Sequence, residues 1–146
     1  MQRRVLLVMT AGLLIAADAS KKGDAKKELE KLQGKWVATA IAQNGFEVPA
    51  EQVKKVNLTL VIKGNKFTTK KPRSTDKGTF RIGPAKKPRA IDFIATSPEG
   101  KKETTLGIYE WDGEKLRIAA DQKKRPTEFK SEKGGALVIT FERVTD

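Results

Sequence analysis

Apolar and polar residues alternate along most of this chain in short runs, each closed by glycine, asparagine or aspartate. Residues 35–43 read as a first strand, and Asn44-Gly45 is the dipeptide of a two-residue hairpin turn. Residues 46–48 pair back briefly. Pro49 then stands where helices start, ahead of a one- to two-turn helix over 50–56. From 57 to 63 the alternation is clean, with Leu58, Leu60 and Ile62 on one face and Thr59 and Lys63 on the other. Gly64-Asn65 turns the chain into a strand over 66–70 that carries Phe67 on the apolar side. Further strands are predicted over 78–82 (Phe80, Ile82), 89–95 (Ile91, Phe93, Ala95), 103–111, 115–119 (Leu116, Ile118) and 136–144 (Leu137, Ile139, Phe141, Arg143). A shorter one is predicted over 127–130.

The sum is about eight to ten strands joined by short turns, with no long helix between them. Parallel neighbours need crossovers of about a dozen residues, so the sheet must be largely antiparallel. One apolar and one polar face per strand, repeated this often, predicts an all-β, up-and-down antiparallel barrel or a sandwich. The predicted interior is Trp36, Leu58, Leu60, Ile62, Phe67, Phe80, Phe93, Leu116, Ile118, Ile139 and Phe141. In a barrel of about eight strands such a set is either a filled core or the wall of a cavity. Strict alternation from Trp36 places the small residues Ala38, Ala40 and Ala42 on the same inward face, which leaves room.

Two segments precede the β region. Arg3 and Arg4 form a basic start, residues 5–17 are apolar, and Ala17-Asp18-Ala19 fits a small-x-small cleavage site, so 1–19 reads as a signal peptide. The apolar run is too short for a stable membrane span. Residues 20–33 read as a spacer and a short helix from about Asp24, with Ala25, Leu29 and Leu32 as a narrow stripe and Gly34 ending it. That stripe predicts a solvated helix touching the barrel along one edge. The β-barrel domain is then 34–146, in a protein exported to the periplasm or secreted.

Composition narrows the chemistry. The 146 residues contain neither cysteine nor histidine, which removes disulfides, thiolate metal sites, the commonest metal ligand and the usual catalytic base. Without His or Cys the usual nucleophile–base triads cannot be built, and no metal or cofactor motif appears. A carboxylate pair, Asp92 with Glu110, is the residual catalytic arrangement. A non-enzymatic role is expected.

Net charge is +12, with 30 Lys and Arg against 18 Asp and Glu. A basic–proline pattern recurs in three loops: Lys70-Lys71-Pro72-Arg73, Lys86-Lys87-Pro88-Arg89 and Lys123-Lys124-Arg125-Pro126. Successive loops of an up-and-down barrel alternate between ends. The first and third therefore share one end with Lys101 and Lys102, and the second falls at the other. A basic mouth made of Lys70, Lys71, Arg73, Lys101, Lys102, Lys123, Lys124 and Arg125 would attract an anionic headgroup, polyanion or membrane surface. Aromatic residues are 6% of the chain and mostly inward, so no base-stacking platform for nucleic acid is expected.

Several segments in order resemble an uncharacterised, lipocalin-like domain family abundant in planctomycete bacteria. They are LQGKWVATA (32–40), the NG-x-x-VP segment (44–49), AIDF (90–93), GIYEWDGEKLRIA (107–119) and RPTEF (125–129). The resemblance runs from 32 to 144 and implies a lipocalin-like barrel. Lipocalins carry a Gly-x-Trp opening the first strand and an Arg near the end of the last. Gly34, Trp36 and Arg143 match these, which implies a closure in which Arg143 covers the Trp36 ring.

The expected protein is thus a monomeric, exported binding barrel. Its ligand would be small, apolar or an anionic amphiphile, held near Trp36, Ala38, Ala40, Phe67, Phe80 and Phe93. The other reading is a solid β-module whose basic surface docks on an anionic cell-envelope polymer or protein.

Overall fold

The computed structural model describes residues 24–145. The leader expected over residues 1–19 lies outside the described residues. A helix, α1, covers 24–32. The elements that follow are β1 (Gly34–Gln43), β2 (Phe46–Glu47), α2 (Ala50–Val56), β3 (Thr59–Lys63), β4 (Lys66–Lys70) and β5 (Thr75–Gly83). The chain ends with β6 (Arg89–Thr96), β7 (Lys102–Asp112), β8 (Lys115–Asp121) and β9 (Leu137–Arg143). Every strand pair is antiparallel, in the order β2-β1-β3-β4-β5-β6-β7-β8-β9. A further β1–β9 pairing, Trp36 opposite Arg143 through Ala42 opposite Val138, closes eight strands into a barrel. The all-β barrel read from alternation and turn chemistry is the fold. Among the described residues no helix is long and apolar enough to cross a membrane.

Two backbone features shape the wall. In β1 the pairing with β9 shifts between Ala38 and Ala40. The extra residue, Thr39, reverses the side-chain alternation behind it, as a β-bulge does. Trp36 and Ala38 face inward, but the next inward residue is Ile41, paired with Ile139, and not Ala40 or Ala42. Ala40 is exposed, and Ala42 packs on the outer wall. The expectation that all three alanines line the interior fails at this bulge. The second feature is Gly78 in β5, where a Cβ would stand 1.8 Å from the Ile94 carbonyl oxygen. Only glycine permits that approach of two backbones, and the strand runs through it from Thr75 rather than starting at 78.

The outer wall carries a small apolar row of its own. Ile108, Ala119 and Val138 are buried in adjacent register on β7, β8 and β9, with Ala42 and Phe129 packed on them. The segment between β8 and β9 supplies that cover. It forms no strand over 127–130, contrary to the sequence expectation, because its anchors are side chains. Phe129 lies on the wall under the Arg117 guanidinium, 5.3 Å from the ring centroid, and Arg125 donates to the Gly107 carbonyl at 2.8 Å. Pro126 cannot donate to a ladder in between.

Following the strand directions, α1 and the turns at 64–65, 84–88 and 113–114 fall at one end of the barrel. The turn at 44–45 and the loops 71–74, 97–101 and 122–136 fall at the other. These two ends are built differently, and the candidate site follows from that difference.

Candidate functional site

The end beneath α1 is closed by side chains. Ala25, Glu28, Leu29 and Leu32 lie on one helical face, and Leu32 is fully buried in the core beside Trp36. Burying such a leucine contributes roughly 1.5–3 kcal/mol. The Trp36 indole N–H donates to the Leu32 carbonyl at 3.0 Å, which satisfies both the ring and an orphan helix-end acceptor. Trp36 and Trp111 pack with centroids 5.9 Å apart, and Tyr109 stands edge-on to Trp111 at 6.3 Å. Glu28 reaches into this aromatic cluster. It accepts from the Tyr109 hydroxyl at 3.1 Å and from the Trp111 indole N–H at 3.2 Å, and pairs with Arg89 at 3.2 Å. Burial first, then the neighbouring Glu28 charge, pushes the Tyr109 hydroxyl well above the ordinary phenol range.

The same end holds the arginine closure. The Arg143 guanidinium lies 4.3 Å from the Trp36 ring centroid and donates to the carbonyls of Gln33 and, at 2.7 Å, Lys31. It therefore binds the barrel, through Trp36, to the C-terminal carbonyls of α1, where a cation is also favoured by the helix dipole. Gly34 has φ +123°, which favours glycine, and a Cβ there would come 2.7 Å from Arg143 Nη1 and push the guanidinium aside. Gln33 fastens the adjacent turn, accepting from Gly64 N at 2.6 Å and donating to Gly64 O at 2.9 Å. Rather than touching one edge, α1 is a plug.

The other end holds the candidate site. α2 covers part of it, because β3 begins only opposite Val37 and leaves the later half of β1 without that neighbour. Val53 fills the gap, buried in the core. At this end an apolar cavity of about 220 Å³ opens within the barrel. Its deeper wall is Leu60, Phe67, Phe93, Ile118 and Phe141, with Leu58 and Ile139 above them. Around the mouth stand Thr69, Ala95, Thr105, Ala120 and Leu137, with Lys71 and Asp76 adding charge. Phe67 and Phe93 meet edge to face, 5.0 Å apart, so this wall is ordered. A dry cavity of about 150 Å³ suffices for a benzene-sized guest.

Of the six residues expected to line a ligand site, the structure brings Phe67 and Phe93 to the cavity. Phe80 is buried in the core next to Phe93, with centroids 6.3 Å apart, and does not line the cavity. Trp36 and Ala38 are core residues toward the closed end, and Ala40 is outside. The bulge and the α1 plug between them move the free space away from Trp36. Thr69, Asp76, Thr105 and Ala120 were missed. Alternation with Gly78 and Phe80 was the signal for Asp76, hidden because β5 reads as starting at 78.

Of the basic set, Lys71 lines the cavity mouth, and Lys70, Arg73, Lys101 and Lys102 belong to the same end as exposed residues. Lys123 and Lys124 are exposed on the long loop. Arg125 is different: it turns onto the outer wall and pairs with Asp92 at 2.7 Å. The pair is close but off-axis, since buried Asp92 Oδ1 receives no aligned hydrogen bond from it and the attraction is chiefly charge on charge. Arg81 approaches the same carboxylate at 3.8 Å. Glu110 pairs with Arg117. Asp92 and Glu110 are thus each occupied by arginine on the outside of the barrel and do not form a carboxylate pair facing a cavity. Lys86, Lys87 and Arg89 lie at the closed end, so positive charge is spread over both ends.

No family model, curated protein or solved structure matches this chain.

Proposed function

We propose that this is an exported, monomeric, non-catalytic binding barrel that holds one apolar chain or small amphiphile in the cavity at its open end. The single observation that carries the reading is the asymmetry of the interior. One end is filled by aromatic rings and a helix, while the other keeps an apolar cavity of about 220 Å³ with polar and charged groups only at its mouth. Apolar walls with a few polar groups at the rim are the usual makeup of a small-molecule site. The cysteine- and histidine-free composition, and the arginine-paired state of Asp92 and Glu110, support binding over catalysis. The basic start, apolar run and small-residue cleavage pattern of residues 1–19 support export.

The test is a displacement titration of an acyl-chain fluorophore by n-alkyl alcohols of increasing length. Burial of a methylene stabilises by about 0.8 kcal/mol, so affinity should rise about fourfold per added carbon until the cavity is full, then level off. Ala120→Phe, which fills the cavity from its rim, should abolish binding while the protein stays folded. Equal probe binding by this variant and the parent would refute the site. For export, the mature N-terminus from an envelope fraction should be Ser20 or a near neighbour, and intact Met1 would refute it.

A further inference from the structure

We propose that the ligand of this cavity has a zwitterionic head, carrying an ammonium and an acidic group within a few bonds of one another. The proposal rests on the reading that the cavity takes an apolar chain, and adds what sits at the end of that chain. Lys71 and Asp76 both line the mouth. Lys71 opens the loop 71–74 directly after β4, and Asp76 is the second residue of β5, with Thr69 opposite Asp76 and Lys70 opposite Thr75 in the register. Despite that proximity, no ion pair within 4 Å involves either residue among the described residues. The mouth therefore presents one unpaired cation and one unpaired carboxylate above an apolar cavity.

The groups nearby reinforce the mixture. Thr69 and Thr105 line the cavity just inside the two charges and offer hydroxyls that both donate and accept. Glu103 is the register partner of Ala95, itself a lining residue, so a second carboxylate stands on the inward-facing row at this rim. Lys101, Lys102, Lys123 and Lys124 are exposed farther out on the loops of the same end. A purely anionic head would gain Lys71 but face Asp76, with Glu103 on the same rim, and a purely cationic head would meet the reverse. A head bearing both charges satisfies both. The lysine-rich loops, screened within a Debye length of about 8–10 Å, concentrate anionic species near this end without selecting the bound head.

The full chain is titrated with four n-octyl compounds that compete with the acyl-chain fluorophore: octanol, octanoate, octylammonium and octylphosphocholine. Octylphosphocholine should bind at least tenfold tighter than each of the other three. Asp76→Asn should raise octanoate toward the zwitterion and weaken octylammonium, and Lys71→Gln should do the opposite. Octanoate ranking first in the parent, with Asp76→Asn leaving the order unchanged, would overturn the proposal. Equal binding of all four would also overturn it while leaving the apolar-chain reading intact. Failure of every compound, octanol included, would remove both.

Discussion

The two ends of this barrel are made from the same strands and differ in what caps them. At the closed end a helix brings Leu32 and Glu28 onto the rings of Trp36, Tyr109 and Trp111, and each of the three ring donors has an acceptor. At the open end the helix α2 covers only the gap above β3, and the remaining mouth is ringed by threonine, alanine, lysine and aspartate. Aromatic bulk and satisfied hydrogen bonds spend the interior volume on stability at one end. Small and charged rim residues leave it free at the other. A barrel of eight strands can be filled or hollow, and here it is both.

That division predicts that substitutions at the closed end unfold the protein and those at the open end alter binding. The largest effect is expected from Trp36→Ala, about 3–5 kcal/mol in denaturant unfolding, for a fully buried ring. Leu137→Ala, at the half-buried mouth, should cost clearly less than the buried-leucine range of about 2–5 kcal/mol. Equal losses would erase the contrast.

Glu28→Ala comes next, at about 1–3 kcal/mol, because it leaves the Tyr109 hydroxyl and the Trp111 N–H without their acceptor. Glu28→Gln, which keeps an acceptor, should recover part of the loss, and the same denaturation series measures it. Arg143→Ala should cost about 1–2 kcal/mol, since the cation–π contact is partly exposed and the two carbonyls it serves can turn to water. A double-mutant cycle with Trp36→Phe should show coupling. Strict additivity would mean that the guanidinium acts only on the helix end.

The smallest effect is confined to alkaline pH. The Tyr109 hydroxyl is held protonated in the folded protein, whereas in the unfolded chain it ionises near 10. A raised native pKa contributes stability that is complete below about pH 10 and declines above it, by up to about 1.4 kcal/mol per pH unit. Tyr109→Phe should therefore lose less stability than the parent between pH 10 and 11. Parallel curves would place the Tyr109 hydroxyl in water.

Several features could be read from the residues alone, each for a local reason. The Asn44-Gly45 and Gly64-Asn65 turns, the alternation of Leu58, Leu60 and Ile62, and the Pro49 helix start depend on short-range sterics and on period-two burial, and the strands lie where those signals put them. Charge and the missing histidine and cysteine are likewise properties of the string. The bulge at Thr39 carries no glycine or proline to announce it. It lies just past the point where β3 stops pairing with β1 and β9 alone continues along it, and it turned Ala40 from an expected lining residue into an exposed one. The plug was partly visible, since Glu28 shares the face of Leu29 and Leu32, but its partners lie about eighty residues away on β7. Arg125 shows the same limit, because nothing adjacent in the chain says that Asp92 waits on the outer wall. Spacing along the sequence decided which residues face one another's side of a strand. Only closure of the sheet decided which end was filled, because volume inside a barrel is shared by residues that meet across it.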